Sequence, residues 1–499
     1  MRLLPITLLL LLPTLHTWDI LFANVFSVGS HQVISVYLAN LLADQGHNVT
    51  YLSTHLPGSL QPQVVKRELP ACTQAMDRLG KPGGNETSGV FEKLGLVLGA
   101  CERWWGEPAV QELIGSGKQF DLLVTIGMFD TCAMGLGHVL GIRNTVISMP
   151  APMLIFHHIP MLGLPLYASS VDVSDIMIRT HEDVKSSMFA RAKSLVKREV
   201  LYAVFLALNA WYVEPVLYKN IPDYPGYTET FKRVRLLALQ QNSHPLVDGP
   251  TPFGPGVLSL GGSLCKPYNP DEIPVELIEF MDSATEGFIY FSFGSVQADA
   301  SQEETDKWLQ VLGSLPTKVV WKRSAAIPDL PPNVRTYAWL PQASLLHHPH
   351  LRMFLTHGGC ASRYEALCAA VPMLVVPRAA PDQFYTAQRI AEVGLGENVL
   401  DLDSTPAQDI TAKIMRILGD ARYGKRAAQV QKHVLSTRLR DEQVLGYLDM
   451  AVEGYSLVPG YQPWYEYFYL DLIGVPVVTV LAVRFFIRRL RAYTDYGVK

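Results

Sequence analysis

The sequence predicts two doubly wound α/β domains facing a cleft, followed by one C-terminal transmembrane helix. Three observations carry this prediction. Short apolar runs with β character alternate with helical spacing in both halves of the 499-residue chain, the pattern of parallel strands joined by crossover helices. A stretch rich in proline and glycine from Ser243 to Pro274 separates the two series, as domain junctions do. Hydrophobic residues make up 48% and charged residues 18%, a globular composition tilted toward the apolar.

The first series opens with an apolar run from Ile20 to Phe26, broken by Ser27-Val-Gly-Ser-His31. Val33, Ile34, Tyr37, Leu38, Leu41 and Leu42 then recur at helical spacing, Gly46 stops the helix, and Val49 begins another strand. Together these make a βαβ unit. Leu122–Ile126 and Thr145–Ser148 read as later strands of the same sheet. The second series contains Gly287–Phe293, Lys318–Lys322, Arg352–Thr356 and Met373–Val376. Ligands in such sheets bind beyond the carboxyl ends of the strands.

Both ends of the chain bear on membranes. Arg2 and the leucines from Leu8 to Leu12 make residues 1–17 a secretory signal peptide. Residues 18–262 and 263–455 then form the two domains, and 456–469 a linker. The apolar run from Leu470 to Ile487 is followed by Arg488, Arg489 and Arg491, which predicts a single span and a cytosolic tail over 488–499. A buried or interfacial amphipathic helix is the alternative for this run. Asn48-Val-Thr and Asn85-Glu-Thr are glycosylation sequons on the lumenal side.

Charge and cysteine usage exclude several classes. Lys plus Arg number 42 against 46 for Asp plus Glu, so the basic footprint of a nucleic-acid binder is missing. Six cysteines without a CxxC pair speak against a zinc ribbon or dithiol site. They are too sparse for a disulfide scaffold, with one bridge in the N-terminal half left open. His347, His348 and His350 are neighbours in a loop and are not read as metal ligands.

The chemistry concentrates between Trp339 and Gln383. Phe354-Leu-Thr ends a strand, His357-Gly358-Gly359 is a turn that lets backbone approach a ligand, and a helix follows from about Ser362. Strand, glycine turn and helix N-terminus together make an anion site suited to a diphosphate. Ser362 and Glu365 also match a capping box, so their ligand role is open on physical grounds alone.

This segment resembles the donor-binding signature of the UDP-glycosyltransferase family, which includes the glucuronosyltransferases. Trp339, Pro341, Gln342, Leu346, His348, Pro349, Thr356, His357, Gly358, Gly359, Ser362, Glu365, Ala366, Asp382 and Gln383 fall on its pattern. The resemblance implies a GT-B fold and roles for these residues. Trp339 stacks on uracil with Gln342 bonding nearby, and Glu365 accepts the ribose hydroxyls. His357, with Gly358, Gly359 and Ser295, contacts the diphosphate, Ser362 lies beside them, and Asp382 and Gln383 meet the sugar hydroxyls. His31 resembles the family's catalytic base, taking the acceptor's proton as its oxygen displaces UDP with inversion. The reaction needs no metal or cofactor beyond the UDP-sugar co-substrate.

Departures from the pattern qualify this. The frame that begins at Asp121 reaches Ile126 where an acid would orient the histidine, and Asp130 is the nearest substitute. An N-cap role for Asp130 is its alternative. Ala361 stands where Asn is common, and the Pro377–Asp382 loop is one residue longer than usual. The general look resembles invertebrate members, which implies UDP-glucose as donor, with UDP-glucuronic acid the other candidate. The expected acceptor is a small lipophilic molecule bound by the N-terminal domain, as in detoxification. The expected location is the endoplasmic reticulum membrane, single-pass type I, with the catalytic domains lumenal and membrane lipid around the C-terminal helix. A homo-oligomer is left open. The competing reading is a non-catalytic lipophile- or nucleotide-binding relative with an eroded site.

Overall fold

The computed structural model describes residues 17–25, 31–80, 95–127, 130–150, 161–162, 188–239, 246–247, 254, 256–294, 301–323, 325–378, 381–460, 478–485 and 487. Strands β1 (Asp19–Asn24), β2 (Asn48–Ser53), β3 (Val65–Glu68), β4 (Leu122–Ile126), β5 (Thr145–Met149), β6 (Val234–Leu239) and β7 (Val257–Ser259) form one sheet. Their order is β3-β2-β1-β4-β5-β6-β7, and every described pairing is parallel. All five residues of β4 and of β5 are buried. Central parallel strands covered by helices on both faces require such continuous apolar runs. Strand order reverses between β1 and β4, the crevice where ligands bind in this topology.

The second sheet contains β8 (Phe288–Ser292), β9 (Lys318–Lys322), β10 (Val334–Tyr337), β11 (Leu351–Thr356), β12 (Met373–Val375) and β13 (Gly396–Asn398). Its order is β10-β9-β8-β11-β12-β13, and its switch point lies between β8 and β11. There Thr356 stands opposite Ser292, so the segments after both strands leave the sheet side by side. Phe354, Tyr290 and Met373 pack toward one face and Leu355, Phe291 and Leu374 toward the other. This is the period-two alternation of strands.

Three features go beyond the sequence reading. β7 still belongs to the first sheet although it lies inside the proline- and glycine-rich junction. The helix Asp441–Val452, assigned above to the second domain, packs on the first: Val444, Leu448 and Ala451 share a buried cluster with Ile20, Leu38 and Leu122. Tyr37 Oη also donates to Asp441 Oδ1 at 2.6 Å. Two disulfides form where at most one was expected. Cys101–Cys132 braces the helix Asp130–Val139, and Cys265–Cys368 ties the interdomain segment to the end of the helix Cys360–Cys368.

Within the expected C-terminal span, 478–485 and 487 are described and 470–477 lie outside the described residues, as do residues 1–16 and Asn85. Among the described residues no helix is long and apolar enough to cross a membrane. Val478, Val480, Leu481, Val483, Phe485 and Ile487 are all exposed.

Candidate active site

The anion turn sits where the second sheet reverses order. β11 ends at Thr356, whose Oγ1 accepts the Gly358 N–H at 3.3 Å, and Gly358 takes φ +85°, open to glycine at little cost. His357 lies between two glycines. A Cβ at Gly294 would stand 2.8 Å from its Cε1, and one at Gly359 would stand 2.4 Å from its Nε2. Burial, with the charges of Lys322 and Arg378, lowers its pKa to about 4. The ring is therefore neutral at physiological pH, and its buried Nδ1 has no hydrogen-bond partner among the described residues. The helix that follows, Cys360–Cys368, starts after Gly359 with no side-chain cap. Its first N–H groups and positive dipole end are thus left for an anion.

That start corrects the capping-box alternative. With Gly359 as N-cap, Ser362 lies inside the helix and is buried. Its Oγ accepts Gln342 Nε2 at 3.0 Å, and the same amide donates to Glu365 Oε2 at 2.5 Å. Tyr290 Oη donates to Gln342 Oε1 at 3.2 Å. Burial raises the Glu365 carboxyl above its ordinary value, opposed by the Gln342 bond. One oxygen is thus fixed by an amide, leaving lone pairs that suit a diol. Trp339 is 71% exposed just before this cluster, a large flat face with no packing duty in the core.

On the other side of the turn, Asp382 is held in the helix Pro381–Glu392. Burial raises its pKa, and the Cys360 Sγ–H donates to its Oδ2 at 3.3 Å. Gln383 is buried, and its Oε1 accepts the Arg378 backbone N–H at 2.8 Å. His357, Gly358, Gly359, Ser362, Glu365, Gln342, Asp382 and Gln383 therefore cluster around one strand end. Ser295 lies outside the described residues.

His31 and Asp130 lie at the corresponding switch point of the first sheet, after β1 and β4 respectively. Burial lowers the His31 pKa from its ordinary 6.5, and its Nδ1 has no hydrogen-bond partner among the described residues. Among the described residues no hydrogen bond or ion pair joins His31 to Asp130. Asp130 is buried at the start of its helix, and its Oδ1 accepts the Thr131 N–H at 3.0 Å. Its charge is felt by Tyr227 and Tyr224. Asp is favoured at a helix start, where the dipole welcomes a carboxylate.

Several residues escaped the sequence reading. Lys322 ends β9 opposite Ser292, and its Nζ donates to the Gly294 carbonyl at 3.3 Å. Its place beside the anion turn follows from strand register, which the motif does not show. Tyr290 and Cys360 were also missed, though Cys360 lies inside the motif. The loop histidines have other tasks: buried His348 Nε2 lies 3.2 Å from Asp282 and its ring packs edge-on to Phe288. Among the described residues no group of three or more His, Cys, Asp or Glu could hold a metal.

Two parallel-sheet Rossmann-like domains with an anion turn at the second switch point define a GT-B glycosyltransferase fold. Solved structures agree on that fold. A UDP-glucosyltransferase from Polygonum tinctorium capable of glucosylating indoxyl superposes with a TM-score of 0.60 at 17% identity, covering 88% of this chain and 99% of that one. The calicheamicin glycosyltransferase CalG4 gives 0.55 at 20%, covering 88% and 99%. The profile described as UDP-glucoronosyl and UDP-glucosyl transferase matches residues 227–496, and the chain belongs to that family of glycosyltransferase enzymes. UDP-glucuronosyltransferase 3A1 of Xenopus laevis is 26% identical over 94% of this chain and 93% of its own length. An ecdysteroid UDP-glucosyltransferase of Mamestra brassicae nuclear polyhedrosis virus is 35% identical over 42% of this chain and 39% of its own. A UDP-glucuronosyltransferase of Pleuronectes platessa is 31% identical over 48% and 52%. With these last two, the match spans about half of the relative's length or less.

Proposed function

We propose that this protein transfers a hexose, glucose first, from a UDP-sugar to a hydroxyl of a small lipophilic acceptor, inverting the anomeric centre. The observation that carries this reading is the cluster at the end of β11. A buried neutral imidazole, an uncapped helix start and Lys322 stand beside a carboxylate fixed by an amide, with an exposed tryptophan next to it. These are donors for a diphosphate, an acceptor for a diol and a platform for a base.

His31 is the general base in this reading. Its depressed pKa keeps it neutral at pH 7, able to accept the acceptor's proton as the oxygen attacks. In this reading it acts without a bound carboxylate, and Asp130 stands in the first turn of its own helix. His357 donates a hydrogen bond to the departing UDP, Lys322 offsets its charge, and Asp382 and Gln383 hold the sugar hydroxyls. No metal or cofactor enters this scheme.

We further place the enzyme in the endoplasmic reticulum membrane with residues 18–469 lumenal. Two disulfides suit an oxidising compartment. The exposed apolar side chains from Val478 to Ile487 call for a non-aqueous environment. Measuring UDP release from UDP-glucose with a panel of phenols, on membranes containing the full chain, tests the catalytic reading. Acceptor-dependent release supports it, and donor binding without release on any phenol leaves the non-catalytic alternative.

A further inference from the structure

We propose that the Arg378–Glu304 ion pair selects a neutral hexose donor by withholding the Arg378 guanidinium from a sugar carboxylate. The proposal rests on the donor-site reading above and concerns Arg378, just after Pro377, and its partner Glu304. Arg378 follows β12, and Glu304 lies in the first turn of the helix Gln302–Gly313, which follows β8. Since β11 lies between β8 and β12, the pair bridges the strand end that carries His357. The guanidinium also lies 4.9 Å from the centroid of the Phe293 ring, and its charge reaches His357.

The pair is closed and shielded. Arg378 Nη2 donates to Glu304 Oε2 at 2.6 Å and Nη1 to Oε1, with side chains 22% and 12% exposed. Trp308 Nε1 donates to Glu304 Oε1 at 3.2 Å, which fixes the carboxylate further. A two-pronged bond of this kind occupies the fork that would otherwise grip an anion. The backbone of the same arginine meanwhile holds the Gln383 side chain.

A glucuronyl donor would bring a second carboxylate next to buried Asp382. Burying a charge without a cation is costly. Both prongs of the Arg378 guanidinium are held by Glu304, Lys322 faces the Gly294 carbonyl and His357, and the buried Arg363 acts on Asp382. A hexose whose sixth carbon carries a hydroxyl meets no such cost. Replacing Glu304 by glutamine keeps the shape and the acceptor for Trp308, and frees a guanidinium whose charge reaches His357 and whose own backbone N–H holds Gln383.

The test uses the full-length chain in membranes with one lipophilic phenol. It measures kcat/KM for UDP-glucose and UDP-glucuronic acid in wild type, Glu304→Gln and the double variant Glu304→Gln/Arg378→Met. The expected result is a wild-type preference for UDP-glucose. Glu304→Gln then shifts the ratio toward UDP-glucuronic acid at least tenfold, about 1.4 kcal/mol, and the double variant returns it. Equal use of both donors by the wild type, or an unchanged ratio in Glu304→Gln, overturns the selection. Should Glu304→Gln not fold, wild-type affinities decide. UDP-glucuronic acid is expected to bind at least tenfold more weakly than UDP-glucose, and equal affinity overturns the selection alone. Failure to bind UDP itself overturns the donor-site reading with it.

Discussion

Replacing Trp339 by alanine separates binding from folding more cleanly than any other change at this site. The side chain is 71% exposed and lies outside every described hydrophobic cluster. Surface substitutions of this kind stay within about 0.5 kcal/mol in stability, so the thermal midpoint should hold. If the indole carries uracil, its loss removes a stacking contact of about 1–3 kcal/mol. At 1.4 kcal/mol per factor of ten, UDP should bind roughly 5- to 150-fold more weakly. Its neighbour Gln342 remains tied to Tyr290, Ser362 and Glu365, so the ribose contacts persist and the loss stays confined to the base. Calorimetric titration of UDP into wild type and Trp339→Ala, with Trp339→Phe as a partial rescue, gives the answer. Unchanged UDP affinity in Trp339→Ala would refute the stacking assignment.

Four further outcomes follow from the geometry. His31→Ala should lower turnover by about 10²–10⁴ while UDP affinity stays within a factor of two; unchanged turnover on a phenol removes His31 from the mechanism. Asp130→Asn should keep its fold and at least a tenth of wild-type turnover, because an Asn amide oxygen can still accept the Thr131 N–H; a fall of a thousandfold would mean that the carboxylate orients His31 during the reaction. His357 takes up its proton only near pH 4 when folded, whereas the unfolded chain does so near 6.5. Its contribution is therefore intact above pH 6.5 and is lost as pH falls toward 4, on the order of 3 kcal/mol in all. His357→Gln should flatten the pH dependence of chemical unfolding in that window, and an identical slope contradicts the burial account. Truncation before Leu470 should move the protein into the soluble fraction after a carbonate wash. Because the truncated chain keeps the exposed Val196, Val200, Val204 and Leu208 of the helix Met188–Leu208, with Trp211 just beyond it, full retention in the pellet would point to a second membrane contact in the N-terminal domain.

What was legible in the sequence, and what was not, divides along contact range. Buried parallel strands need unbroken apolar runs, so Leu122–Ile126 and Lys318–Lys322 were legible to the residue. The anion turn was legible because strand, glycines and helix are contiguous there. Contacts across long separations were not. Cys265 meets Cys368 across 103 residues, Arg378 meets Glu304 across 74, and Asp441 returns to Tyr37 across 404. No local pattern marks such partners. The Ser362–Glu365 pair shows a subtler failure: the motif fits a capping box, but the helix begins two residues earlier because Gly359 supplies the extended N-cap backbone. At Asp130 both readings used a local fact, the missing acid at Ile126 or the helix start, and the Asp130 Oδ1 bond to the adjacent Thr131 N–H decides for neither.

The central claim is inverting hexosyl transfer from a UDP-sugar. It is tested most directly by incubating the full-length chain in membranes with α-linked UDP-glucose and a lipophilic phenol, then assigning the product's anomeric configuration by NMR while counting UDP. The account predicts a β-glucoside formed one for one with UDP and lost in His31→Ala. An α-glucoside, or saturable UDP binding with no glycoside from any donor, would contradict it.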